Sequence, residues 1–221
     1  MSLKMHRRTL LLGLAGTALT SGTSPTWAGL TGAEADRDFA VFRNGDPIGH
    51  HRIDMRTEGD RTIVDIDILL EVGLGPLVLY RYHHKNREIW QDGAFQSFES
   101  ETDDDGDAYR VRAVRQGSEI LIARNRGDNY ATGDLSLLPT TYWNPATVDR
   151  PRLINTQDGE IAEVRVDRGG WQTVDTGAGQ VEARRFDVDG DLKLSLWYDR
   201  DGHWVKLAFP LKGDSFEYQL A

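Results

Sequence analysis

The sequence predicts an all-β protein: a single-domain antiparallel β-barrel or half-barrel, built as one strongly curved sheet with one long loop insert. Two observations favour this fold. From Phe39 onward, short segments alternate between apolar and polar residues, and turn-forming Gly, Asn and Asp residues interrupt them about every 8 to 12 positions. Helical periodicity is almost absent over the same stretch. Because strands joined by short turns pair with their neighbours in the chain, we expect a meander.

The first half of the predicted meander contains seven strands. In the clearest of them, Val64, Ile66 and Ile68 alternate with acidic residues, which is typical of a strand with one buried face. Asn44-Gly45 before it supplies the positive φ angles of a tight hairpin turn. The seven strands cover residues 39–43, 48–57, 62–72, 79–93 with a closing turn at 91–93, 95–102, 109–115 and 119–123.

Residues 125–159 interrupt this rhythm. The segment contains prolines at 139, 145 and 151 and is longer than an ordinary connection in a compact domain. We expect an irregular insert that acts as a lid or plug over a cavity mouth, or a loop that aromatic burial attaches to the barrel. Strands resume at residues 160–167, 172–176, 181–188, 191–198, 204–211 and 215–220.

The first 28 residues have the pattern of a cleavable export signal. Lys4, Arg7 and Arg8 precede the apolar run 10–16, and the small residue Ala28 marks the expected cleavage site. The adjacent arginines favour the twin-arginine route, with the general secretory route as the alternative. The apolar run is too short for a permanent membrane anchor. We therefore expect residues 29–221 to form one periplasmic domain with no integral membrane span.

The charge and the cysteine count exclude several classes of partner and chemistry. Removing the signal takes away three basic residues and no acidic ones, which leaves 23 Lys and Arg against 35 Asp and Glu, a net charge of −12. This balance disfavours nucleic acids and anionic membrane surfaces as partners. The chain has no cysteine, which excludes disulfides and thiolate chemistry.

The histidines and acidic turns do not predict a metal site. The turn at 103–107 begins like a calcium loop, but Arg112 occupies the position of the closing glutamate. By register, His51 and His84 face inward, and with Glu88 they would form a two-histidine, one-carboxylate set. An intervening strand separates these histidines by about 9–10 Å, so we interpret His84 as an interior histidine paired with Glu88. We expect no metal and no other cofactor.

The stretch 79–93 carries the candidate site. Strand alternation exposes the basic row of residues 81, 83, 85 and 87 to solvent and turns the other row inward. Aromatic residues at the ends of the inward row bracket a histidine, an amide and a carboxylate, which either line a wet cavity or satisfy one another. This inward row consists of Tyr80, Tyr82, His84, Asn86, Glu88 and Trp90, and the insert adds Tyr142, Trp143 and Asn144 as a roof.

These residues lead to three functional hypotheses. The first is a protein that binds or carries an apolar or amphipathic small molecule in the hollow of the sheet. The second is an enzyme that uses His84 and Glu88 for general acid-base chemistry. The third is a structural or interaction module of the cell envelope with a filled core. No nucleophile elbow or phosphate-binding glycine loop favours another chemistry.

Three motifs resemble those of a family of exported bacterial proteins of unknown function. They are YRYHHKNREIWQDG at 80–93, TDDDGDAYRV at 102–111 and TTYWNP at 140–145, and the resemblance covers nearly all of the chain after the signal. The family is similar, more distantly, to periplasmic lipoprotein carriers, which implies a curved antiparallel sheet around an apolar hollow. Neither resemblance implies a substrate or a catalytic residue.

Overall fold

The computed structural model describes residues 36–74 and 77–221, and every regular element of this part of the chain except one 3-10 helix is a β-strand. The predicted signal peptide, residues 1–28, lies outside the described residues. No helix in the described ranges is long and apolar enough to cross a membrane. The elements are β1 Arg37–Arg43, β2 Asp46–Glu58, β3 Arg61–Leu74, β4 Leu77–Gln91, β5 Ala94–Asp104, β6 Asp107–Gln116, β7 Glu119–Arg124, β8 Tyr130–Thr132, β9 Leu138–Pro139, a 3-10 helix Pro145–Asp149, β10 Arg152–Ile154, β11 Ile161–Thr176, β12 Gly179–Gly190, β13 Leu194–Tyr198, β14 Trp204–Leu211 and β15 Asp214–Leu220.

The strands form one curved sheet in the order β8-β7-β6-β5-β4-β3-β2-β1-β15-β14-β13-β12-β11-β10-β9. Consecutive strands pair antiparallel, and β1 closes against β15, which confirms the predicted curved antiparallel sheet. β9 departs from this pattern because it pairs parallel to β10. Within the described residues, no ladder joins β8 to β9, so the sheet is open at these two short edges.

Two regions differ from the prediction. Segments 160–167 and 172–176 are one strand, β11, whose pairing with β12 shifts between Arg168 and Trp171. Gly169-Gly170 resembles a turn, so the sequence predicts two separate strands here. In the structure these two glycines form a bulge within one continuous strand. The insert is also not wholly irregular, since it contains β8, β9, the 3-10 helix and β10.

The insert fills the interior of the curved sheet. Phe39, Val41 and Trp204 from the sheet are at most 1% exposed and belong to the main core cluster. The same cluster contains apolar insert residues that are 0–7% exposed: Leu137, Leu138, Trp143, Val148, Leu153 and Ile154. Of the roles expected for residues 125–159, the structure therefore favours a plug packed into the core.

A second, smaller core lies on the opposite face of the sheet. Val174 and Ala183, near the end of the β11–β12 hairpin, pack with Trp197 and Val205. The hairpin end is also joined to the last strand by a 2.7 Å hydrogen bond from the Gly177 amide to the Leu220 carbonyl. The bulge in β11 precedes this region, and bulges bend the strands that contain them. The hairpin thus covers part of the outer face of β13–β15.

Candidate functional site

The predicted inward row, which runs from Tyr80 to Trp90 along β4, faces inward over most of its length. β3 places Val64 opposite Glu88 and Ile66 opposite Asn86, so the apolar face of β3 continues into the row. Trp90, Glu88, Asn86 and His84 are 0–3% exposed, and Tyr82 is half-buried. Tyr80 is different: it is 37% exposed and donates a 2.7 Å hydrogen bond to Asp104. Its predicted place in the hollow is wrong, because pairing of β4 with β5 ends at Tyr82 and β4 pairs with β3 alone at Tyr80.

Glu88 is the centre of a buried hydrogen-bond cluster that joins β4 to the insert. Its Oε2 accepts from the indole Nε1 of Trp90 at 2.7 Å and of Trp143 at 2.9 Å, while Oε1 accepts from the Asn86 amide at 3.0 Å. The two indole rings also pack edge to face with centroids 5.1 Å apart. Burial raises the pKa of Glu88 above its ordinary value, although the hydrogen bonds to the carboxylate oppose that shift. The cluster satisfies the hydrogen-bonding needs of a carboxyl group that is 0% exposed.

The structure does not bring His84 and Glu88 together. His84 Nδ1 lies 2.7 Å from Thr102 Oγ1, and the Glu88 oxygens contact the indoles and the amide described above. Residues four apart on a strand share a face but lie about 13 Å apart along it. The predicted pairing is therefore wrong, and the acid-base hypothesis loses its geometric basis.

The three roof residues of the insert hold the plug in place. Trp143 donates to Glu88, and the Tyr142 carbonyl accepts a 2.7 Å hydrogen bond from Tyr198 on β13. Asn144 caps the 3-10 helix by accepting from the Ala146 amide at 3.0 Å. These contacts account for the aromatic-amide motif as a structural attachment.

A small chamber lies next to His84. It has a volume of about 110 Å³, and its walls combine the inner face of β2–β4 with the insert. We call it the histidine chamber. Tyr82 closes it on one side by donating a 3.3 Å hydrogen bond to Gln157 of the insert. The lining residues are His51, Ile66, Ile68, Tyr82, His84, Thr140, Thr141, Asn155, Thr156 and Gln157.

His51 is the least satisfied polar residue of this chamber. Its inward direction agrees with the register inferred from the sequence, and it is 4% exposed. Its ring packs against aromatic residues, including Trp204 at a centroid distance of 5.2 Å. Neither ring nitrogen has a hydrogen-bond partner within the described part of the protein. The insert residues that face it carried no periodic signal, so sequence reasoning missed them.

Because His51 and His84 are buried, we expect the free energy of unfolding to fall in mild acid. Burial lowers the pKa of His51 to about 3 and that of His84 to about 4, so the unfolded chain binds more protons below pH 6.5. Lowering the pH from 7.5 to 5 is expected to cost about 2 kcal/mol of unfolding free energy per histidine. The raised pKa of Glu88 acts in the opposite direction. Urea titrations across this pH range measure the slope.

A pair of variants isolates the contribution of His51. His51→Leu should flatten the pH dependence by about half and leave the fold intact, because an apolar side chain suits this aromatic site. His50→Leu, on the outer face of the same strand, serves as the control and should keep the original slope. If the unfolding free energy of His51→Leu depends on pH as steeply as that of the unmodified protein, His51 is not the source of the pH dependence.

One other cluster could offer ligands to a metal ion. Within the described residues, the side chains of Asp199, Asp201 and His203 are the only group of three or more whose ligand atoms lie within 4.8 Å of one another. The Asp199 carboxylate already accepts from the backbone amides of Asp201 and His203 and lies 3.0 Å from His203 Nδ1. This geometry is that of a hydrogen-bonded turn between β13 and β14.

The fold and this site define a class of protein: an all-β, barrel-like domain whose interior is plugged by its own insert. The chain belongs to the family described as Domain of unknown function (DUF6134), whose model matches residues 39–221. This confirms the predicted resemblance to a family of unknown function. No protein with a curated description matches the chain in sequence.

Solved structures support the same architecture. Six chains are similar in fold. One is the crystal structure of a beta-barrel-like protein of domain of unknown function DUF1849 from Brucella abortus, with a TM-score of 0.59 and 9% sequence identity. The match covers 84% of this chain and 95% of that one. At this identity the similarity establishes the curved-sheet fold alone.

Proposed function

We propose that this chain is an exported, periplasmic protein that binds an apolar or amphipathic small molecule at the mouth of its curved sheet. The observation that carries the proposal is a run of exposed apolar residues beside the histidine chamber: Leu77 is 60%, Val78 51% and Leu79 60% exposed. Export rests on the signal-like pattern of residues 1–28.

These residues lie on a two-stranded extension of the sheet. Pairing of β2 with β3 ends at Leu70, and pairing of β4 with β5 ends at Tyr82. Residues 71–74 and 77–81, which we call the apolar ribbon, therefore have only each other as strand partners, and the Arg81 carbonyl also accepts a 2.8 Å hydrogen bond from the Asp105 amide in the turn after β5. Because consecutive strand residues point to opposite faces, apolar side chains are exposed on both sides. Full burial of each large one would contribute about 1.5–3 kcal/mol to binding.

The ribbon leads directly to the histidine chamber along β4. Tyr80 and Tyr82 stand between them, linked through Asp104 and Gln157: Tyr80 donates to Asp104, and the Gln157 amide lies 3.4 Å from the same carboxylate. A chamber of about 110 Å³ is smaller than the roughly 300–1,000 Å³ of ordinary ligand pockets. It accommodates a small terminal group, while the rest of an amphipathic molecule lies along the ribbon.

The remaining hypotheses have less support. An engulfing carrier cavity conflicts with the insert, whose apolar side chains occupy the hollow. An enzyme based on His84 and Glu88 conflicts with their separate hydrogen-bond partners. An interaction module of the envelope is the second candidate, because a filled core and an exposed ribbon also suit a protein partner.

Titration with a fluorescent fatty acid tests the proposal. Leu77→Ser and Leu79→Ser should each weaken binding by about tenfold or more, since each removes apolar area from the contact. Leu211→Ser, at a side chain that is 41% exposed elsewhere on the sheet, is the matched control and should bind like the unmodified protein. Absence of saturable binding by the unmodified protein would favour the interaction module instead.

A further inference from the structure

A second concave site lies in the other half of the sheet. It is an open groove of about 750 Å³ between the end of the 3-10 helix and strands β11 and β12. Its volume is within the range of small-molecule sites. We call it the arginine groove. Its charged lining residues are Asp149, Arg150, Arg165, Asp167, Arg168 and Arg184, and apolar residues of β11, β12, the 3-10 helix and the segment after it complete its walls.

The charge of the groove is opposite to that of the whole chain. Its lining contains four arginines and two aspartates, whereas the chain carries a net charge of −9. Arg168 pairs with Asp149, and Arg165 pairs with Asp189 outside the groove. Neither Arg150 nor Arg184 forms an ion pair with another described residue. A local excess of unpaired guanidinium groups in an acidic protein favours an anionic ligand.

Two observations indicate that these arginines are positioned for a ligand. The Nε of Arg150 is buried and has no hydrogen-bond acceptor in the described part of the chain. An unsatisfied buried donor is unfavourable, and more so when the group is charged. Arg184 is held by a 3.1 Å hydrogen bond from its Nε to the carbonyl of Gly169 in the bulge, and its guanidinium carbon lies 5.7 Å from the Phe186 ring centroid. The bulge at Gly169 thus holds Arg184 in place, and Arg184 and Arg150 line the same groove.

We propose that the arginine groove binds a small organic oxyanion, either a phosphate or a carboxylate. Arg150 and Arg184 supply the charged donors, since the guanidinium fork matches the oxygen spacing of both anions. Val166, Pro151 and Phe186 contact the organic part of the ligand. The site is independent of the apolar ribbon, which lies on β3 and β4.

Isothermal titration calorimetry with butyl phosphate, butyrate and inorganic phosphate at constant ionic strength tests this site. The unmodified protein should bind at least one of the two organic anions saturably and more tightly than inorganic phosphate, because the apolar floor adds contact. Comparing butyl phosphate with butyrate decides which oxyanion the site prefers. No saturable binding of any of the three would overturn the proposal.

Variants locate the binding in the groove. Arg150→Gln and Arg184→Gln should each weaken binding at least tenfold, and Arg184→Lys should weaken it less because it keeps the charge without the fork. Arg112→Gln is the control, since this arginine is 64% exposed and pairs with Glu99 in the first half of the sheet. If circular dichroism shows that Arg150→Gln does not fold, Arg184→Gln decides alone. Unchanged affinity in Arg184→Gln would contradict the assignment, and Leu77→Ser should leave anion binding intact.

Discussion

Replacing Glu88 with alanine is expected to lower the free energy of unfolding by about 3–5 kcal/mol. The change leaves the buried indole N–H groups of Trp90 and Trp143 and the Asn86 amide without their acceptor, and it opens a cavity at a position that is 0% exposed. Against a typical total stability of about 5–15 kcal/mol, this is a large loss. Equilibrium urea unfolding measures it.

Two further variants separate the hydrogen bonds of Glu88 from its charge. Glu88→Gln should stay within about 1 kcal/mol of the unmodified protein, because the new carbonyl can accept from both indoles. Asn86 Oδ1 has no hydrogen-bond partner among the described residues. If the Asn86 amide flips by 180°, the new glutamine amide can donate to this oxygen. Glu99→Ala, at an exposed ion pair with Arg112, is the surface control and should cost less than about 0.5 kcal/mol. A large loss in Glu88→Gln would mean that the ionised carboxylate itself is required.

Replacing Trp143 with alanine is expected to destabilise the whole domain by about 3–5 kcal/mol. Trp143 is 6% exposed, packs against Trp90 and donates to Glu88, so its loss affects both the insert and β4. A plug that folds together with the sheet predicts a single, shifted unfolding transition. Urea unfolding followed by far-UV circular dichroism provides the measurement.

The matched control is Trp171→Ala. This tryptophan is 43% exposed on β11, and its removal should cost about 1 kcal/mol or less. If Trp143→Ala leaves the global transition unchanged and increases hydrogen exchange within residues 125–159 alone, the insert is a separately opening lid. The hollow behind it would then be accessible, and the engulfing carrier hypothesis would regain support.

The direction of most side chains in β4 could be predicted from the sequence. The alternation of Val64, Ile66 and Ile68 on β3 requires one buried face, and the antiparallel register extends that face to His84, Asn86 and Glu88. The prediction failed at Tyr80, because alternation indicates burial only where neighbouring strands and the insert cover the face. β4 leaves that cover at Tyr82, and the ribbon beyond it is exposed.

Which polar groups meet inside the protein could not be predicted in the same way. His84 and Glu88 share a face, yet each bonds to a residue from another element: Thr102 on β5 and Trp143 in the insert. The insert has no periodicity that would reveal which of its side chains point inward. Arg150 and Arg184 are likewise distant in sequence, and the packing of the 3-10 helix against β11 and β12 brings them to one groove.

The sequence by itself determined the antiparallel meander outside the insert, most of the strand limits there and the acidic, cysteine-free character of this protein. These properties depend on local alternation, on turn residues and on composition, all of which act between near neighbours in the chain. Only the tertiary structure decided that the insert fills the hollow, that a small chamber survives beside His51 and His84, and that an arginine groove forms elsewhere. Those features depend on how side chains from distant segments of the chain pack together in a limited interior volume. No local sequence pattern encodes which of these side chains meet.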